Sequence, residues 1–267
     1  MNVRRLVVFF SLALALTWVV WVPRALASHG IVRGAVADLA TALGLYWSWM
    51  PAIAALLTAA LVGGRAEVRA WLGRLGRWRV GPQWYAIALL GPAAFALLVG
   101  GIAAALGLGD LWPRALDSGV AAIGFFAVLL LTDGLGEETG WRGYALPALL
   151  ERHWALVASL ILGVFWAVWH LPLWITAGSA LDGSPWLFHL VDLPATSILY
   201  TWLFLRSRES VPVAIVLHAS INLWVAAPTG TAAQLALVLG LKLALVAVAI
   251  ATGLAPRSSH LTRTASG

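Results

Sequence analysis

The stretch GFFAVLLLTDGLGEETGWRGY, Gly124 to Tyr144, decides the fold. Its first eight residues, Gly124 to Leu131, are continuously apolar, and two adjacent glutamates and an arginine follow at Glu137, Glu138 and Arg142. The apolar character starts near Val120 and continues past the charges to Leu150, far beyond the length of a strand and without alternation on every second residue. Such a run is a membrane helix, not a barrel strand. Charges placed inside it are expensive to keep, which marks them as used.

Working outward, similar apolar runs recur along the chain. They fall at about Leu6–Val22, Leu45–Val62, Trp84–Leu106, Val120–Glu138 with its continuation to Leu150, Ala155–Thr176, Trp186–Leu205, Val211–Ala227 and Ala232–Leu254. With 61% hydrophobic residues in 267 and a mean hydropathy of +0.90, the composition excludes a soluble domain. The expectation is an all-α, polytopic transmembrane bundle of about eight helices. It forms a single transmembrane domain over residues 1–267, with its chemistry concentrated at about 120–227. No cysteine is present, so disulfides, thiolate metal sites and cysteine nucleophiles are excluded.

A net charge of +6 does not point to nucleic acid, because the basic residues stand at the ends of apolar runs, where they set topology. If eight helices alternate, thirteen arginines, from Arg4 and Arg5 to Arg257 and Arg263, fall on one side and only Arg24, Arg33 and Arg114 on the other. This bias predicts both termini in the cytoplasm, and the excess of Arg over Lys with abundant Ala and Gly suggests a bacterial plasma membrane. The ALAS of Ala25 to Ser28 resembles a signal-peptide site, but the run before it is long for that role, so it is expected to remain as the first helix. The segment Arg65 to Val80, with Trp and Leu between its arginines, is expected along the headgroups.

The intramembrane residues able to do chemistry are Asp133, Glu137, Glu138, Arg142, His170, Asp192, His218, Asn222 and Lys242. Lys242 stands alone in its helix and reads as a snorkelling residue, and Asp133 and Asp192 read as structural. Glu138 and Arg142, four apart, can pair on one helical face, which leaves Glu137 pointing about 100° away without a partner. Partial burial would make such a carboxylate a better general base. In WAVWH, Trp166 lies one turn before His170. In HASIN, His218 and Asn222 share a face and could hold an oxyanion, although a helix-to-helix clamp gives the same spacing. The polar break Glu151–His153 predicts a hairpin, from which Glu137 and His170 are about equally distant along their helices, so the two can face each other.

E-E-x-x-x-R (Glu137, Glu138, Arg142), aromatic-x-x-x-H (Trp166, His170) and H-x-x-x-N (His218, Asn222), in this order on successive helices, resemble the CAAX-protease and bacteriocin-processing (Abi) family of intramembrane proteases. The resemblance covers about Gly124 to Ala227. Trp166 stands where that family often has Phe. The resemblance implies an endopeptidase acting on a membrane-associated protein or peptide. Glu137 and His170 would activate water, His218 and Asn222 would stabilise the oxyanion, and Glu138 with Arg142 would brace Glu137. No cofactor is favoured. If the enzyme is metal-dependent, Glu137, His170 and His218 are the expected zinc ligands, although H-E-x-x-H is absent. G-x-S-x-G is also absent, and GLGD, Gly107 to Asp110, matches an aspartyl-protease motif without its Tyr-Asp partner. A non-catalytic partner or bacteriocin-immunity protein and a proton-coupled transporter are the competing classes. The latter is disfavoured because there is no internal repeat.

Overall fold

The computed structural model describes residues 3–44, 47–117, 119–225 and 230–254. Among these residues the chain is helical with no strand. The helices are α1 (Val3–Ser28), α2 (Ala35–Gly44), α3 (Met50–Thr58), α4 (Gly64–Leu75), α5 (Pro82–Ala105), α6 (Ala121–Leu129), α7 (Leu135–Gly140), α8 (Leu146–Leu150), α9 (Ala155–Trp169), α10 (Leu171–Trp174), α11 (Trp186–Arg206), α12 (Val211–Trp224) and α13 (Ala232–Ala249). Five stretches are long and apolar enough to cross a membrane: Val3–Ser28, Met50–Leu75, Pro82–Ala105, Trp186–Arg206 and Ala232–Leu254. The remaining expected spans are the composite α6–α8 and the shorter α9 and α12. The chain is an integral membrane protein built as a helical bundle. Ala226 and Ala227, at the end of the seventh expected run, and Arg257 and Arg263 lie outside the described residues.

Helices α6, α7 and α8 form one rod interrupted by two widened π-turns, Leu130–Gly134 and Trp141–Ala145. A π-turn re-aims side chains and leaves backbone carbonyls in need of donors. At the second π-turn α4 supplies them, Trp71 Nε1 donating to the Thr139 carbonyl at 3.0 Å and Arg74 Nε to the Gly143 carbonyl at 2.8 Å, and at the first Trp49 Nε1 donates to the Leu131 carbonyl at 3.1 Å. The segment expected along the headgroups therefore docks on the composite helix, with Trp71 buried. The turn into α4 is made at Gly64, whose φ of +76° suits glycine. At Gly140, a Cβ would lie 2.5 Å from the backbone carbonyl carbon of Pro51. Only hydrogen fits there, so α3 and α7 approach closely and fix the height of the two glutamates.

The expected fifth helix, Ala155–Thr176, ends earlier, at Trp169. Pro172 has no N–H to continue the ladder and its ring opposes the carbonyl four residues back, so the chain restarts as the short α10. Helix α1 packs into the core: Phe9 meets Trp141 edge-on at 5.6 Å, and Thr17 Oγ1 accepts from Trp169 Nε1 at 2.7 Å. Basic residues gather at one end of the bundle, where Arg5 pairs with Glu67 at 2.5 Å and Arg77 with Glu209 at 2.8 Å. At the other end, His29 bonds the Ile175 carbonyl and Ser28 Oγ accepts from Ala177 N. Asp110 of the GLGD sequence accepts from the Trp112 backbone N–H in a local turn.

Lys242 does not snorkel. It is buried, and its ammonium donates to Asp192 and to Thr196 of α11, so a cation with no partner on its own helix finds both on the next one.

Candidate active site

Glu138 and Arg142 form the expected pair within the composite helix, Oε1 to Nη1 at 2.8 Å, with both side chains fully buried. Burying this pair needs further compensation, since desolvation of two charges offsets most of their attraction. Two aromatic faces provide it. The Arg142 guanidinium carbon lies 3.9 Å from the ring centroid of Tyr200 and 4.7 Å from that of Trp166. Arg142 Nε and Nη2 have no hydrogen-bond partner, and the rings cover the guanidinium instead.

Glu137 is not left without partners. Its Oε2 accepts from Trp166 Nε1 at 2.7 Å and from Trp141 Nε1 at 3.2 Å, two indoles that fix the carboxylate plane. Its Oε1 lies 3.8 Å from His218 Nε2. His218 is held in turn by Glu138: Nδ1 is 2.8 Å from the same Oε1 that receives Arg142. The imidazole thus presents Nδ1 to one glutamate and Nε2 to the other. Glu138 is the hinge of the cluster, shared between Arg142 on its own helix and His218 on α12.

His170 and Asn222 each take a hydrogen-bond partner outside the Glu137–Glu138–His218 cluster. His170 caps α9, and its Nδ1–H donates to the Trp166 carbonyl at 2.8 Å rather than to Glu137. Its ring lies among Trp21, Trp166 and Trp169, with centroid distances of 6.4, 5.9 and 4.7 Å. Trp166 bridges the two sides of the hairpin, bonding Glu137 and lying tilted against His218 with ring centroids 5.8 Å apart. Asn222, one turn after His218, donates from Nδ2 to Asp133 Oδ2 at 3.1 Å. Of the expected zinc set Glu137, His170 and His218, both imidazoles are hydrogen-bonded through Nδ1, to the Trp166 carbonyl and to Glu138. Among the described residues no three His, Asp or Glu side chains group as metal ligands.

Two contributors, Trp141 and Tyr200, are absent from the sequence reading, and a third, Asp133, is read there as structural. Trp141 stands four residues after Glu137, the same spacing that identified the Glu138–Arg142 pair, so the signal was present. Asp133, four before Glu137, carried that signal too. Tyr200 had no local signal, since its contact with Arg142 depends on how α11 packs against α9.

Residues 119–224 match the family described as Type II CAAX prenyl endopeptidase Rce1-like, and every side chain of the cluster falls within that stretch. Over this stretch the chain is similar to the CAAX-protease family. The CAAX prenyl protease 2 of Methanococcus maripaludis is 40% identical over 102 residues. That match spans 36% of this chain and 37% of the relative, so it covers little more than a third of either protein. The matched stretch includes the composite helix, α9, α11 and α12, while α1 and α4, which pack on it, lie outside.

Proposed function

We propose that the chain is an intramembrane endopeptidase that hydrolyses a peptide bond of a membrane-associated protein or peptide with Glu137 as general base. The observation that carries the reading is the Glu137 carboxylate: one oxygen is pinned by two indole N–H groups and the other faces His218 Nε2 at 3.8 Å. A structural glutamate would be fully paired; this one is oriented and keeps an oxygen available.

In the proposed reaction Glu137 takes a proton from water, and the resulting hydroxide attacks the scissile carbonyl. The tetrahedral oxyanion is met by His218 and Asn222. A protonated His218 balances Glu137 and Glu138 together with Arg142, and its Nε2–H then serves as the donor while Nδ1–H stays on Glu138. The proton held by Glu137 passes to the leaving amine as the C–N bond breaks, which restores the carboxylate. His170, with Nδ1–H on a backbone carbonyl, keeps Nε2 as an acceptor and assists in orienting the water. The proposed reaction uses this chain's own side chains, and no step in it is routed through a metal.

The relative's name, CAAX prenyl protease, suggests lipid-anchored peptides as the first substrates to try. Peptides entering from the basic, cytoplasmic end of the bundle are the proposed class, the site lying within about two helical turns of the α4 arginines. The test compares membrane-associated peptides from cells carrying the native chain or Glu137→Ala. Fragments present only with the native chain support the reading; identical peptide profiles at equal expression contradict it.

A further inference from the structure

Two side chains of α12 enter the cluster, and each is held by an acid of the composite helix. Glu138 holds His218, and Asp133 holds Asn222. The order is reversed on the two helices, the earlier acid meeting the later α12 residue, so the helices run antiparallel here. Helical side chains lean toward the N-terminus of their own helix, and antiparallel neighbours therefore lean toward each other. Residues five apart on an uninterrupted α-helix diverge by about 140°. The π-turn Leu130–Gly134, which contains Asp133, takes up an extra residue and reduces that divergence, so both acids reach one helix.

We infer that Asp133 is a positioning residue for Asn222, an inference that rests on the peptidase reading above. A carboxylate only accepts hydrogen bonds, so Asp133 forces the Asn222 carboxamide to turn its Nδ2 toward it. That nitrogen carries two protons. One is taken by Asp133, and the other is left for a substrate oxygen at Asn222, which is exposed. Without Asp133 the carboxamide can flip and present its own oxygen, which repels an oxyanion. Asp133 thus does for Asn222 what Glu138 does for His218: it fixes which atom of a two-faced group meets the substrate.

The chain contains two asparagines, Asn2 and Asn222, so selective ¹⁵N-asparagine labelling gives two side-chain amide signals, and Asn222→Ala identifies which is which. In Asp133→Ala, the Asn222 amide signal is expected to shift and its two protons to become more alike; in Asp133→Asn, which still accepts through its amide oxygen, the change is smaller. Hydrolysis of a quenched, prenylated CAAX-type peptide in proteoliposomes is the second readout. Removing an oxyanion donor costs about 10²–10³ in kcat. Releasing it through Asp133→Ala is expected to cost about tenfold in kcat with KM unchanged and partial rescue in Asp133→Asn. In an Asn222→Ala background, Asp133→Ala is expected to cost nothing further. An Asn222 signal indifferent to Asp133→Ala, or an equal loss in both backgrounds, overturns the inference. Absence of cleavage by the native chain would count against the peptidase reading, while the amide signal would still decide the pairing.

Discussion

Two buried charge clusters border α11, about 12 Å apart along its axis, and they differ in one respect. Near Asp192 and Thr196, Lys242 closes a pair in which the cation and the anion each find a partner. Near Tyr200, two carboxylates share Arg142 and His218, Glu138 Oε2 is buried without a partner, and Glu137 Oε1 stands 3.8 Å from an imidazole. The first cluster leaves none of its buried polar atoms orphaned and ties α13 to α11. The second keeps acceptors in reserve where burial makes them costly, which is what distinguishes a site from a clamp.

The largest effect on the second cluster is expected from Glu138→Ala, which strands both Arg142 and His218. Breaking a buried pair costs about 3–5 kcal/mol, so this variant should lose thermal stability in detergent as well as cleavage. Normal melting with lost cleavage would mean that Glu138 is not the hinge. Lys242→Ala is expected to lower the melting temperature by a similar mechanism but to leave turnover per folded molecule unchanged. The paired Lys242→Met with Asp192→Leu should recover much of that stability. Loss of turnover in the paired variant would erase the contrast between the two clusters.

Trp166→Phe keeps a ring over Arg142 but removes the indole N–H from Glu137. A hydrogen bond to a charged group contributes about 1.5–3 kcal/mol, so a loss of about tenfold or more in kcat with little change in folding is expected from steady-state kinetics. Unchanged kcat would reassign Trp166 to packing alone. The smallest effect is expected from strong chelation, which should leave turnover intact, with elemental analysis finding no stoichiometric zinc. Activity abolished by chelator and restored by Zn²⁺ alone would recast His218 and His170 as ligands.

The bundle was legible because continuous apolarity of spanning length has few other meanings, and the Glu138–Arg142 pair because i,i+4 spacing is a local rule. What was not legible depends on neighbours. The second π-turn is met by donors on α4, some seventy residues away, and the first by Trp49. Lys242 looked isolated because its anion is fifty residues away on another helix. The short α2 falls between two of the expected runs, and the break before α10 lies inside the expected run Ala155–Thr176, where Pro172 is its signal. His170 was placed opposite Glu137 by helix arithmetic alone. Trp166, one turn before His170, does reach Glu137, while the bond of His170 Nδ1 to the Trp166 carbonyl follows from the helix end, which the arithmetic does not place.

The central claim is that Glu137 activates the attacking water. The direct measurement is hydrolysis of a quenched membrane-anchored peptide by Glu137→Gln in proteoliposomes, beside its melting temperature. The amide is nearly isosteric and can still accept from Trp141 and Trp166, so the fold should persist. Loss of the proton acceptor should lower the rate by about 10²–10⁴ at an unchanged melting temperature. Cleavage at the native rate by the folded variant would contradict the account.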